Sequence, residues 1–430
     1  MEREAAGLSF RELIDFRTLY ERNLTMSAGL RVNSNLSGMP GHKPVLYLAL
    51  ELSWSKWKLA FASAPAERPR RRELEARNLS GLLAEIAAAK QKLGLPPDCP
   101  VVSCYEAGRD GFWIHRWLET QGVRNVIVDS SSIEVNRRAR RAKSDSLDAA
   151  KLLSMLFRHE GGEKVWSVVR VPTEEEEHAR QLHRELQSLG QESTRHVNRI
   201  KGLLASIGLA LEVDKHFPKT LKEARQWNGK PVPEEIRDRL RRDFERLQVI
   251  NRQIRALNQQ RNKTLRTKDS PTLQKVQQLL GLRGIGVNSA WLFVHEFFGW
   301  RDIQNRRQLG SLSGLAPTPY SSGDLRHEQG ISKAGNRRMR WMAVEIAWWW
   351  LHFQPGSALS KWYERRFAKG NSRQRRVGIV ALARKLLVAL WKYLKTGELP
   401  EGAELADWQA KTRTSIRSLD LSPMNRRQAS

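Results

Sequence analysis

Cysteine is almost absent: Cys99 and Cys104 are the only two in 430 residues. That excludes a disulfide framework and a four-cysteine zinc site, and it suits a cytosolic chain with reduced thiols. Long apolar runs are missing as well. No stretch reaches the roughly eighteen consecutive apolar residues of a membrane helix, and the N-terminus lacks the short apolar core of a secretory signal. Acidic residues are in deficit, with 46 Asp and Glu against 74 Lys and Arg, a formal net charge of +28. Such an excess repels itself on folding, and a polyanionic partner is its simplest explanation. Nucleic acid leads, and an anionic membrane surface follows.

Tryptophan, by contrast, is abundant at 15 residues, and the Trp348-Trp-Trp350 run with Trp341 reads as helix-packing material. Residues 1–42 are polar and Gly/Ser-bearing, a flexible extension with one short helix around Phe10 to Tyr20. From Pro44 the pattern changes. Val45–Glu51 and Lys56–Ala62 predict a strand hairpin, Arg68–Arg72 a charged connector, and Leu74–Leu93 a helix. Pro100–Glu106 and Arg124–Asp129 predict two more strands, flanking a helix that carries Trp113, Ile114, Trp117 and Leu118. Strands alternating with helices make residues 43–170 an α/β domain.

Two of those strands end on carboxylates, Glu51 and Glu106, at the carboxyl ends where α/β sheets hold ligands. A further pair, Asp145 and Asp148, stands one helical turn apart in Lys143-Ser-Asp-Ser-Leu-Asp-Ala. Taken singly, each is explained by a salt bridge, a helix cap or a solvated face. Four carboxylates converging in one unit repel one another, and a divalent metal pair is the natural counter-charge. Two hard cations so held stabilise the attacking and leaving oxygens at phosphorus. Immediately upstream, Arg137, Arg138, Arg140, Arg141 and Lys143 form a segment suited to nucleic-acid phosphates.

Residues 171–268 turn helical. Leu182, Leu186, Leu189, Ser193, His196, Ile200, Leu203 and Ile207 step by four and three, and so do Ile236 to Arg261 beyond the Pro231-Val-Pro233 break. Two such seams predict an antiparallel coiled-coil arm or a helical hairpin packed on a domain, with His196 as packing. Residues 269–398 open with Leu279-Leu-Gly-Leu-Arg-Gly-Ile-Gly, the helix, G-x-G turn, helix pattern of a helix-hairpin-helix element. Farther on, Tyr320-Ser-Ser-Gly-Asp-Leu-Arg-His327 has no core pattern and reads as a surface loop. Beside it lie Lys333, Asn336, Arg337, Arg338 and Arg340, cationic or polar groups suited to grip a nucleic-acid backbone. A Gly-flanked serine there is placed to attack a phosphodiester, or is simply a loop residue beside a DNA-gripping helix. Apolar helices at Trp341–Leu351 and Ala381–Leu394 carry the loop, and residues 399–430 read as a polar tail.

In this order the parts resemble one family, the DEDD transposases of the IS110 class of insertion sequences, bridge-RNA-guided serine recombinases. The resemblance covers roughly residues 44 to 395, and Gly-Leu-Ala-Pro, then Ser-Gly, then Gly-Ile-Ser-Lys-Ala-Gly-Asn-Arg-Arg-Met-Arg340 is its most specific part. It implies a RuvC-like domain of RNase H fold, a coiled-coil arm and a mainly helical C-terminal transposase domain. The acidic set then falls on Glu51, Glu106, Asp145 and Asp148, holding Mg²⁺, and the nucleophile on Ser322, with Ser321 as the alternative. It further implies DNA ends and target as substrates, a structured guide RNA, a dimeric or tetrameric assembly with composite sites, no membrane, and the prokaryotic cytoplasm and nucleoid. One departure stands out: the first acidic position, ordinarily Asp, is Glu51, one methylene longer. Two alternatives stay open, a RuvC-type metal-dependent DNA endonuclease in which Ser322 is incidental, and a domesticated nucleic-acid-binding protein that has lost catalysis.

Overall fold

The computed structural model describes residues 44–108, 110–133, 145–267, 269–322 and 325–417. The chain divides into two compact units, Met1–Val171 and Pro172–Ser430. The basic stretch with Arg137, Arg138, Arg140, Arg141 and Lys143 lies outside the described residues.

The first unit is built on strands β1 (Leu46–Glu51), β2 (Lys56–Ala62) and β3 (Arg70–Glu75), helix α1 (Leu79–Lys92), β4 (Val101–Glu106), α2 (Trp113–Thr120), β5 (Val123–Val128) and α3 (Asp145–Glu160). The sheet order is β3-β2-β1-β4-β5. The first three strands pair antiparallel, whereas β1–β4 and β4–β5 pair parallel. Period-two alternation divides β1, β2, β4 and β5 between two cores. Leu46, Leu48, Leu50, Trp57, Leu59, Phe61 and Tyr105 pack against Leu82 and Ile86 of α1 and Ile114 and Leu118 of α2. On the opposite face the smaller Ala49, Ala60, Ala62 and Cys104 receive Ala149, Leu152, Leu153 and Leu156 of α3. Leu48 and Leu50 are fully buried, so truncating either to Ala would cost roughly 2–5 kcal/mol.

Two local expectations shift. The charged connector is the edge strand β3, whose Glu73 pairs with Lys56 of β2. Charge on an edge discourages pairing with other chains, which is why its composition reads as loop. The following helix then begins at Leu79 instead of Leu74, where Asn78 accepts a hydrogen bond from the Gly81 amide at 2.8 Å. Cys99 and Cys104 are both buried and unbridged.

The second unit opens with two long helices, α4 (Glu174–Ser206) and α6 (Glu234–Thr267), joined through α5 (Phe217–Glu223). Thr173 and Glu176 form a reciprocal capping box, and four glutamates in the first turn of α4 complement the helix dipole. The helices run antiparallel, since Arg199 meets Asp243 and Ser193 meets Asn251, partners rising on one helix as they fall on the other. Phe217 and Leu221 of α5 close the open end against Ile200, Leu204, Leu240 and Phe244. His196 lies in the seam at 3.3 Å from Asp243. Burial alone would raise the Asp243 carboxyl, but the Arg199 and Arg246 guanidiniums and His196 hold it below the usual carboxylate range.

Beyond the arm come α7 (Pro271–Leu280), α8 (Val287–Phe293), a π-helical turn at Val294–Phe298, α9 (Arg306–Ser313), the ribbon β6 (Pro317–Ser322) and β7 (Leu325–Ile331), α10 (Arg337–Phe353), α11 (Ala358–Tyr363), α12 (Ser372–Thr396) and α13 (Trp408–Arg417). Their core holds Phe293, Phe297, Met339, Ile346, Trp350, Leu382, Leu386 and Leu390. Of the tryptophans read as packing material, Trp350 is fully buried and donates to the Ser357 hydroxyl at 2.9 Å. Trp341, Trp348 and Trp349 are instead about half exposed, because they fall on the opposite side of α10. The segment after Leu399 folds back: Leu405 bridges to Leu282, and Thr412 on α13 is completely buried. Among the described residues, no helix is long and apolar enough to cross a membrane.

Candidate functional site

Parallel pairing sets Leu50 opposite Tyr105, so β1 and β4 end level, each one residue later on a carboxylate. Alternation puts Glu51 and Glu106 on the α3 face, the side of Ala49 and Cys104. Both line an open cavity of about 790 Å³, whose wall also includes Trp54, Asp110, Lys151 and Leu152. Glu51 is half-buried and Glu106 exposed. Lys151, on α3, brings an ammonium to the same cavity as the carboxylates.

Asp145 and Asp148 occupy the first turn of α3, and their side chains lie outside the described part of the structure. Asp148 stands three and four residues before the cavity-lining Lys151 and Leu152, so the helix carries it one turn from the cavity wall. Among the described residues, no three His, Cys, Asp or Glu converge as a metal site. Glu51 and Glu106 are hard oxygen donors at adjacent strand ends, a donor set that fits a hard divalent cation.

The serine candidates belong to the second unit. Ser321 and Ser322 end β6, paired in register with Arg326 and Leu325 of β7, so the expected loop is a two-stranded ribbon. The base of that ribbon is a backbone clamp. Lys333 donates its amide to Gly314 at 3.1 Å, Ser332 to Ala316 at 2.8 Å and Asn336 to Leu312 at 2.9 Å. At Gly314 (φ +69°) a Cβ would stand 1.9 Å from the Ala334 carbonyl oxygen, and at Gly335 (φ +81°) 2.2 Å from that of Leu312. Only glycine fits either position, which explains Ser-Gly-Leu and Ala-Gly-Asn in physical terms.

The expected phosphate-gripping residues divide by task. Arg337 is exposed at the start of α10, and Lys333 is exposed with φ +55°. Asn336 caps α10 by accepting from the Met339 amide at 3.1 Å. Arg340 donates to the Ser313 and Ala334 carbonyls at 3.3 and 3.2 Å, holding the clamp together. Arg338 stands 3.7 Å from Glu296.

Glu296 is the residue that sequence reasoning passed over. It lies on the π-helical turn, 3% exposed, with a bidentate ion pair to Arg184 of α4. Burial pushes its carboxyl up, and the Arg184 hydrogen bonds with the Arg180 and Arg338 charges bring it below the usual range. Beside it His183 and His295 are buried and held down at about 4 by desolvation and neighbouring guanidiniums. The available signal was His295-Glu296 interrupting the apolar run Ala290–Trp300, since ionisable pairs inside core sequence need partners.

The turn of the expected helix-hairpin-helix element is also engaged internally. Lys411 donates to the Leu280, Leu282 and Ile285 carbonyls at 2.7, 2.7 and 3.0 Å.

The model of the family described as Transposase IS116/IS110/IS902 matches residues 276–364, a span that holds the G-x-G turn, the clamp, the ribbon, α10 and α11. The chain is 40% identical over 374 residues to putative transposase y4rJ of Sinorhizobium fredii, covering 83% of this chain and 94% of that one. It is 25% identical over 226 residues to the transposase for insertion sequence element IS1328 of Yersinia enterocolitica, covering 51% and 63%. An uncharacterized 43.6 kDa protein of insertion element IS110 from Streptomyces coelicolor is 28% identical over 165 residues, covering 37% and 38%. With a strongly basic chain of two units, these matches define an enzyme of DNA transposition. The chain belongs to the IS116/IS110/IS902 family of transposases.

Proposed function

We propose that this transposase cuts and rejoins DNA through a phosphoserine intermediate on Ser322, guided by a structured RNA. The observation that carries the reading is the pair Glu51 and Glu106, level at the ends of neighbouring parallel strands and lining one cavity. The mixed sheet with helices on both faces supports a RuvC-like domain. In the second unit, the clamped ribbon ending in Ser321 and Ser322 lies wholly within the family match.

In the cutting step the Ser322 hydroxyl oxygen bonds to phosphorus as the bridging P–O bond of the strand breaks, releasing a free hydroxyl on the departing end. Rejoining reverses this: a hydroxyl of the new strand attacks the phosphoserine and returns the oxygen to Ser322. Arg337 and Lys333, exposed beside the ribbon, neutralise the phosphate. Glu51, Glu106, Asp145 and Asp148 would hold Mg²⁺, which when bound would supply Lewis-acid charge to a phosphodiester entering the carboxylate cavity. The +28 charge suits simultaneous binding of DNA and RNA, and the antiparallel arm formed by α4 and α6 suits assembly into a dimer or tetramer.

Ser322→Ala tests the reading in a strand-transfer assay with Mg²⁺, donor and target DNA and the transcribed flanking RNA. Loss of rejoined product, with Ser321→Ala active, supports it. Continued strand cleavage by Ser322→Ala would instead identify a nuclease in which the carboxylate site activates water.

A further inference from the structure

The β1–β2 connection places a large aromatic ring where burial does not explain it. Trp54 is 67% exposed, yet it lines the cavity that holds Glu51 and Glu106. Three residues from the strand-end carboxylate, the indole carries the Arg77 guanidinium over one face. The Arg77 guanidinium lies 4.5 Å from the ring centroid, and its Nη1 donates to the Trp54 carbonyl at 3.2 Å. The same guanidinium reaches Asp110, another wall residue, at 3.9 Å. Arg77 itself adopts φ +69°, a left-handed conformation that L side chains disfavour, in the turn where the Asn78 amide donates to the Glu75 carbonyl. A strained residue whose side chain steadies an exposed aromatic ring at a cavity rim marks a position built for a ligand.

We propose that Trp54 is a stacking platform for an unpaired nucleobase next to the phosphodiester handled at the carboxylate cavity. A nucleobase fits because it is planar and apolar on its faces, and because an indole polarised by a guanidinium stacks well with such a ring. Stacking also requires no further anion beside Glu51, Glu106 and Asp110. A paired base, whose faces are covered by its neighbours in the duplex, does not satisfy this ring. The strand is therefore recognised here in an unstacked state, as single-stranded DNA or as the guide RNA. This inference rests on the reading of the cavity as the phosphodiester-handling site.

The test uses the full chain and oligonucleotides carrying one 2-aminopurine, whose fluorescence drops on stacking, as single-stranded DNA, single-stranded RNA and fully paired duplex. The wild type quenches the single-stranded probe of one or both sugars and leaves the duplex unchanged. Trp54→Ala loses that quenching and binds roughly 5- to 100-fold more weakly, while the slope of affinity against salt stays the same. Trp54→Phe restores part of both. Arg77→Gly, which relieves the backbone, keeps the fold and reduces quenching. The DNA and RNA arms show which strand is read. Trp54→Ala quenching like the wild type overturns the proposal, as does equal quenching of the duplex. A Trp54-dependent quench without any serine adduct would keep the platform and remove the phosphoserine reading, so the two fail separately.

Discussion

Arg184 and Glu296 are 112 residues apart and meet in a two-pronged ion pair, Nε to Oε1 at 2.7 Å and Nη2 to Oε2 at 3.0 Å. The pair fastens the arm helix α4 to the π-helical turn after α8, and Arg338 at the start of α10 stands by the same carboxylate. Glu296 is buried while Arg184 is about a third exposed, so removing the carboxylate leaves a partly solvated charge behind. Glu296→Ala is therefore expected to destabilise the second unit by roughly 1–3 kcal/mol, read by thermal or denaturant unfolding. Glu296→Gln keeps part of the hydrogen bonding and should cost less; equal stability of all three proteins would remove this anchor from the account.

The histidines beside that pair set a pH dependence. Burial and nearby guanidiniums hold His183 and His295 down at about 4, below the value of about 6.5 they have when unfolded. Between those values the unfolded chain binds more protons, so their contribution is complete above pH 6.5 and is lost as pH falls toward 4. Unfolding midpoints of the second unit should drop across that window, and His183→Gln with His295→Gln should flatten the drop. A profile unchanged by both substitutions contradicts the assignment.

At the clamp, Gly314→Ala and Gly335→Ala each force a methyl into a carbonyl oxygen in a left-handed backbone. Each is expected to cost at least about 2 kcal/mol and to abolish strand transfer, because the serine ribbon loses its base. Far-ultraviolet circular dichroism with a strand-transfer assay separates the local effect from global unfolding.

Lys411→Met leaves the Leu280, Leu282 and Ile285 carbonyls without their donor. The expected loss is roughly 2–3 kcal/mol, with faster amide exchange along α13. Unaltered exchange there would show that α13 is held by Thr412 and its neighbours alone.

Much of the first unit was legible because β1, β2, β4 and β5 carry apolar runs, and the terminal carboxylates of β1 and β4 break the pattern. The edge strand β3 was not, since its Arg and Glu composition reads as loop. The β6–β7 ribbon escaped for a different reason: Pro317 and Pro319 lack the amide that a strand donates, which argues against a strand in any sequence. Residues past Leu399 looked like a tail because only scattered apolar residues, Ala403 and Trp408, pack on the core, and the rest of the contact is made by Thr412 and Lys411, polar residues that periodicity ignores. Glu51 and Glu106 could be found as strand ends. Arg77 and Trp54 could not, because a left-handed backbone and a cation–π contact leave no mark on a hydrophobicity pattern.

For the carboxylate cavity, calorimetric titration of Mg²⁺ into Glu51→Ala and Glu106→Ala should show affinity lowered by about tenfold or more, each variant remaining folded because neither residue belongs to the apolar cores. Glu51→Asp should still bind the cation. Unchanged binding in both alanine variants would place Mg²⁺ elsewhere.

Peptide mapping of a trapped complex looks for a covalent bond between DNA and Ser322. The full chain is incubated with Mg²⁺, guide RNA and a nicked DNA that cannot complete rejoining, then digested and analysed by mass spectrometry. One nucleotide-linked peptide is expected, modified at Ser322 and absent from Ser322→Ala. Cleaved DNA with no linked peptide, or a link at a different residue, would contradict it.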